Sequence, residues 1–203
     1  MARYTGPKTK VSRRYGVLLA GSARAFEHKA YPPGMHGPKG SRRKISEYGT
    51  ALAEKQKLRF QYGVLERQFR RYFETALKTR GVTGLILLQL LETRLDNVVY
   101  RMGFAKTRSA ARQMVSHGHI AVNGRKCDVS SATLKVGNVV SVRAKDGSKR
   151  LAQRGLDQTQ IVEAPDWLLV DKEALSGKVV RIPTREEINP VVNEQLVVEL
   201  YSR

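Results

Sequence analysis

Leu91-Glu92-Thr93-Arg94-Leu95-Asp96-Asn97-Val98-Val99-Tyr100-Arg101-Met102-Gly103 is followed by Thr107-Arg108-Ser109-Ala110-Ala111-Arg112-Gln113-Met114-Val115 and then by His119-Ile120-Ala121-Val122-Asn123-Gly124-Arg125. In the first segment Leu91, Leu95, Val98 and Met102 recur at helical spacing, with Arg94, Asn97 and Arg101 on another side and Gly103 where a left-handed C-terminal cap would fall. In the second, Thr107 is the candidate N-cap and Ala110, Ala111, Met114 and Val115 form the inward stripe. Arg108 and Arg112 are an i, i+4 pair expected to point away, and Gly118 ends the helix. Asn123-Gly124 tolerates positive φ at both positions and predicts a two-residue β-hairpin turn, with a further turn and strand over Lys135–Val140. Apolar residues and cations are thus segregated, so one surface can bury while the other meets phosphates.

Two helices opening into small strands with a cationic helix face resemble the RNA-binding module known as the S-four domain. The likeness is carried by Arg94-Leu95-Asp96, the Thr107–Val115 helix, the His117-Gly118-His119-Ile120 exit and the Val122-Asn123-Gly124 turn.

Charge points the same way. The 203 residues carry 37 Lys and Arg against 18 Asp and Glu, a net +19. Residues 1–44 hold eleven cations and one acid, residues 45–91 eight and four, residues 92–150 twelve and four, and residues 151–203 six and nine. Three quarters of the chain is therefore an anion binder, and a globule so charged repels itself unless a polyanion neutralises it. If about ten phosphates are neutralised, the log–log salt slope for structured or single-stranded RNA is about −7. No apolar run approaches the roughly 18 residues of a membrane span, and no signal-peptide or lipidation pattern is present, so a soluble, intracellular protein is expected. Cys127, a lone thiol, reads as a small buried hydrophobe.

Working outward, residues 1–44 hold four of seven prolines and the aperiodic run Pro32–Pro38, which reads as an irregular basic arm that orders only on a partner. Ser46 is the candidate cap of a helix near Tyr48–Gln61, ended by Gly63. Leu65, Phe69, Tyr72 or Phe73, Ala76 and Leu77 give a second helix ending near Gly81, and Leu85–Leu91 a third. Beyond Val142, Arg143–Arg150 reads as a polar loop, Gln160–Val162 and Pro165–Val170 as strands, and Thr184-Arg185-Glu186-Glu187 as a capping box. Residues 190–201 are apolar enough to pack on the helical domain, as helix or strand.

Almost the whole chain then resembles the bacterial small-subunit ribosomal protein S-four family. Met1-Ala2-Arg3-Tyr4-Thr5-Gly6-Pro7, Tyr31–Gly37, Ser46-Glu47-Tyr48-Gly49, Glu54–Lys57, Tyr62-Gly63-Val64, Glu66–Phe69 and Glu199-Leu200-Tyr201-Ser202-Arg203 follow that family's pattern in order. Some members carry an N-terminal cysteine zinc site. No cysteine precedes Cys127 here, so no metal and no cofactor are expected.

The resemblance implies an α+β fold: a basic irregular arm (1–44), a small helical domain (45–91) completed by 180–203, and an inserted S-four-type two-helix/β-hairpin domain (92–179, motif core 92–142). It implies a primary assembly protein that binds small-subunit rRNA, organises a helix junction, lies near the channel through which mRNA enters beside protein five, and bears on decoding accuracy. The setting is then a cytoplasmic ribosome, or an organellar one, with mRNA a further candidate partner and neither membrane nor small-molecule substrate.

The residues expected to meet RNA are Arg3, Lys8, Lys10, Arg13, Arg14, Arg42, Arg43 and Lys44 in the arm, and Lys55, Lys57, Arg59, Arg67, Arg70 and Arg71 in the helical domain. The module adds Arg94, Asn97, Arg101, Lys106, Thr107, Arg108, Arg112, His117, His119, Asn123 and Arg125. No catalytic residues are expected. Of the four histidines, His117 and His119 lie near no acid or cysteine cluster, and Gly81-Val82-Thr83-Gly84 sits in a helical context rather than a phosphate loop. The rival classes are an RNA-modifying enzyme and a free RNA chaperone bearing such a module. After the arm, helical domain and module, about fifty residues remain for an enzyme's catalytic domain, and they show no active-site constellation.

Overall fold

The structure, a computed structural model, describes residues 3–20, 23–39, 45–159, 164–188 and 190–202. Arg42, Arg43, Lys44 and the strand expected at Gln160–Val162 lie outside the described residues. The fold is α+β, and the chain divides into two compact units, residues 1–84 with 190–203 and residues 85–189.

In the first unit the arm carries helices α1 (Lys8–Tyr15) and α2 (Ala23–His28). Between and beyond these two short helices the described part of the arm is irregular, as expected. Ser12 is fully buried, its Oγ accepting from the Leu19 and Ala20 amides (both 3.2 Å) and donating to Ala20 O (2.7 Å). Tyr4 sets its ring edge-on to Phe60 at 5.1 Å, tying the arm to the next helix through aromatic contact. That helix, α3 (Glu47–Gln61), starts where the sequence places it, with Ser46 Oγ accepting from the Gly49 amide, and α4 (Glu66–Lys78) buries Phe69, Phe73 and Ala76. The C-terminal segment is helical: α10 (Glu194–Ser202) packs on α3.

Tyr201 fastens α10 in place. Its ring stacks on Phe73 (4.6 Å) and Phe69 (6.1 Å), and its hydroxyl donates to Glu66 Oε1 (2.7 Å), which also accepts from Lys55 Nζ (2.7 Å). Burial pushes the Glu66 carboxyl up, but hydrogen bonds from Lys55 and Tyr201 outweigh it and hold the group below its ordinary value. Burial, then the bond to Glu66, pushes the Tyr201 phenol above its ordinary value near 10. A raised folded value contributes stability that is fully present below the unfolded value near 10 and is lost as pH rises from there through the folded value. Tyr201→Phe is therefore expected to lower stability by about 1 kcal/mol at pH 7 and to converge on the unmodified chain above pH 10, as read by urea melts across that range.

The second unit opens with α5 (Thr83–Glu92), of which residues from Leu85 belong to it, then α6 (Leu95–Arg101) and α7 (Arg108–Ser116). The single Leu91–Met102 helix expected from periodicity is two helices. Arg94 is extended (φ −66°, ψ 140°) and forms a β-bridge with Thr133, while the Leu95 amide donates to Ala132 O (2.8 Å). The predicted hairpin is present: β1 (Ile120–Val122) and β2 (Arg125–Lys126) flank Asn123 (φ 49°) and Gly124 (φ 79°). Strands β3 (Val139–Val142), β4 (Leu168–Asp171) and β5 (Ser176–Val179) extend it into one antiparallel sheet of order β2-β1-β3-β5-β4.

The expected Arg143–Arg150 loop is corrected as well, because α8 (Asp146–Gln158) begins within it. Its inward stripe is Ser148, Ala152 and Gly155, small residues that carry little apolar signal. The core gathers Leu95, Val98, Met102, Phe104, Met114, Ile120, Val140, Trp167 and Val179, and Cys127 packs at its edge as a small hydrophobe. In the short α9 (Arg185–Ile188), Glu187 Oε2 accepts from the Thr184 amide (2.8 Å), the expected capping box. The Arg181 guanidinium beside it, with the Thr184 bonds, holds the Glu187 carboxyl at about 2.

Candidate nucleic-acid interface

Thr107 Oγ1 accepts from the Ala110 amide and starts α7 as expected, so Arg108 and Arg112 fall one turn apart. They do not point away. Both turn back toward two buried acids that organise them, Asp96 on α6 and Glu92 at the end of α5. Asp96 Oδ1 and Oδ2 receive Arg94 Nε (3.0 Å) and Nη2 (2.6 Å), and Arg112 Nε lies 3.8 Å from Oδ2. Glu92 receives Arg101 in a two-point pair, Nε to Oε2 (3.0 Å) and Nη2 to Oε1 (2.7 Å).

Asn97 links the second group. Its Nδ2 donates to Glu92 O (2.9 Å) and Oε2 (2.6 Å), which leaves Oδ1 to accept from Arg108 Nε (2.8 Å). Arg108 Nη2 is 4.0 Å from Glu92 Oε1, and its guanidinium stacks 4.6 Å from the centre of the Tyr100 ring. Among the described residues, four guanidinium groups thus gather around two carboxylates, two more positive charges than negative.

Burial sorts these residues. The Arg94 side chain is 0% exposed and Asn97 is buried, so both are corrected from RNA contacts to internal supports: an ion locked on Asp96 has no face to offer a phosphate. Arg101, Arg108 and Arg112 keep 25%, 19% and 14% of their side chains exposed while each has a guanidinium nitrogen within 4.0 Å of a buried carboxylate. Lys106, Thr107, His117 and Arg125 are exposed near these elements in sequence. His119 Nδ1 lies 2.9 Å from Ser148 Oγ, and Asn123 Oδ1 accepts from the Val139 amide (2.9 Å), so that side chain serves the turn.

In the first unit Lys55 is likewise corrected: it is buried and bonded to Glu66, stabilising the α3–α4 pair instead of facing solvent. Lys57 donates to Glu54 (2.6 Å) and Arg59 lies 3.8 Å from Glu66 and over the Phe60 ring, so both are engaged internally. Arg67, Arg70 and Arg71 are exposed on α4 opposite its buried aromatic stripe, with Arg70 3.4 Å from Glu74. Arg3, Lys8, Lys10 and Arg14 are exposed on the arm, whereas Arg13 donates to Tyr31 O (3.0 Å) and lies over that ring.

Sequence reasoning passed over Glu92 and Asp96, although acids in a basic run signal pairing, and over the cations of α8. Arg154, with Lys106 and His117, rims a cavity of about 210 Å³ between α7 and α8, floored by Phe104 and Met114. Among the described residues no cluster of His, Cys, Asp or Glu could hold a metal, and no helix is long and apolar enough to cross a membrane.

Residues 3–92 match the family described as the ribosomal protein S4/S9 N-terminal domain, and residues 93–140 match the S4 domain, which contains most of this arginine network. Over 203 residues and the full length of both chains, the protein is 60% identical to the small ribosomal subunit protein uS4 of Akkermansia muciniphila and 57% identical to that of Opitutus terrae. A third relative, from a Roseiflexus species, is 52% identical over 206 aligned positions, again at full length. All three relatives carry the name small ribosomal subunit protein uS4. Agreement of this extent, running unbroken through both units, makes the chain a member of the small ribosomal subunit protein uS4 family.

Proposed function

We propose that this protein is a structural component of the small ribosomal subunit that holds folded rRNA by its sugar-phosphate exterior. The observation that carries the reading is the braced row of Arg101, Arg108 and Arg112, partly exposed on a rigid helix pair with surplus positive charge. The deep, narrow major groove of A-form RNA hides base edges, so side chains of this kind select backbone shape rather than sequence. Exposed Arg3, Lys8, Lys10 and Arg14 on the arm, Arg67, Arg70 and Arg71 on α4, and Lys106, His117 and Arg125 in the S4 domain add phosphate contacts to other stretches of the same RNA.

A protein that clamps several RNA helices lowers the entropy cost of their junction, and this supports a role as an early-binding assembly protein. In the same reading the protein sits in cytoplasmic ribosomes near the channel through which mRNA enters, beside protein five, where it bears on decoding accuracy.

Arg108→Ala combined with Arg112→Ala tests the reading. The Arg94–Asp96 and Arg101–Glu92 pairs survive in that variant, so the fold is expected to persist. Binding to a small-subunit rRNA fragment is expected to weaken about tenfold or more, and the salt slope to flatten by about 1.4. An unchanged slope in the folded variant removes both residues from the contact set. Absence of the wild-type chain from purified small subunits in stoichiometric amount overturns the function itself.

A further inference from the structure

The helix pair that the proposed function sets against RNA is built over an acid. Glu92 is 1% exposed in its side chain, ends α5, and binds Arg101 at two points. Through Asn97 it also dictates where Arg108 stands: Asn97 gives both Nδ2 contacts to Glu92, and only its Oδ1 remains to receive Arg108 Nε. Tyr100 holds the other side of that guanidinium.

Resting on the function proposed above, we propose that Glu92, with Asn97 as its relay, is a positioning residue for RNA binding: a buried negative charge that raises discrimination for the folded rRNA by fixing Arg101 and Arg108 before the RNA arrives. Two effects compete when the charge is removed. Neutralising Glu92 adds one positive charge to a chain already at +19, which steepens the salt slope by less than one and tightens binding to any polyanion a few-fold. Freeing two guanidinium groups costs rotamer entropy on binding, up to roughly thirtyfold in affinity per long side chain. The second effect is larger, and it falls only on a ligand that demands a set geometry. Glu92 therefore weakens attraction to anions in general and strengthens selection of one shaped anion.

The experiment uses the full chain, an rRNA fragment defined by footprinting the unmodified protein, and poly(U) of equal length, titrated by fluorescence anisotropy at several salt concentrations. For Glu92→Gln the preference for the rRNA fragment over poly(U) is expected to fall about tenfold, with poly(U) binding unchanged or tighter. A variant that keeps or improves the preference overturns the positioning role while leaving the proposed function standing. If the unmodified chain itself shows no preference, the proposed function falls and this inference with it. Asn97→Ala leaves the charge alone, so it decides the matter if Glu92→Gln fails to fold. Its preference is expected to drop about tenfold at an unchanged salt slope, and the Arg108 Nε–H resonance of the free variant is expected to show fast motion absent from the parent. Parent-like preference in that variant overturns the proposal, because a purely structural Asn97 would alter melting and neither of these readouts.

Discussion

Asp96→Ala is expected to cost the second unit about 3–5 kcal/mol, enough to abolish its cooperative melting transition near physiological temperature. Asp96 is 4% exposed and is the two-point partner of Arg94, which has no exposure at all. Removing the carboxylate takes both of its hydrogen bonds from a guanidinium that has no solvent exposure. The damage is not confined to one side chain. Arg94 is also where the chain leaves helix for the bridge to Thr133, so its displacement pulls on the join between α6 and the segment that precedes β3. Arg112, 3.8 Å from the same carboxylate, loses its brace as well, and RNA binding is expected to fall with stability. Thermal melts by circular dichroism check the first effect, and a melt within about 1 kcal/mol of the parent contradicts it.

Gly155→Ala is expected to be nearly as severe, about 3 kcal/mol, although alanine is the better helix former by about 1 kcal/mol. An added Cβ would lie 2.1 Å from Phe104 O and 2.5 Å from Phe104 C, backbone atoms that cannot turn aside as a side chain can. The α8 helix must lift from the S4-domain core, opening the layer around Ala152 and Phe104. The control is on the same helix. At Gly147 an added Cβ meets nothing within 4 Å, so Gly147→Ala is expected to be neutral or to stabilise by about 0.5–1 kcal/mol. Equal melting of the two variants would show that the close approach of α8 is not what limits stability.

These two sites mark where the reading of residues succeeded and where it stopped. The caps at Ser46 and Thr107, the Asn123-Gly124 turn and the Thr184–Glu187 box were all legible, since each is settled within four residues by a side chain and the backbone beside it. The break at Arg94 was not, because Leu91, Leu95, Val98 and Met102 keep helical spacing straight across it and the extended backbone is held by Thr133, far along the chain. The α8 helix was hidden for a different reason. Its buried face is Ser148, Ala152 and Gly155, chosen for close approach, and small residues leave no apolar period to detect. For the candidate site, the cationic character of α6 and α7 was visible while the direction of each arginine was not. A side chain as long as arginine follows its partner, and the partners, Glu92 and Asp96, sit beneath the surface.

By itself the sequence determined the charge, the class of ligand that such a charge needs, the helix pair with its hairpin and the family to which the chain belongs, because local hydrogen bonding, periodicity and collinear motif order are all properties of neighbouring residues. Only the tertiary structure decided which arginines face outward and which are spent inside, that the three later strands join the hairpin in one sheet, and that the C-terminal helix is fastened by Tyr201 on Glu66. Each of those depends on groups brought together from distant parts of the chain, where burial makes a carboxylate seek whichever cation the fold places within reach.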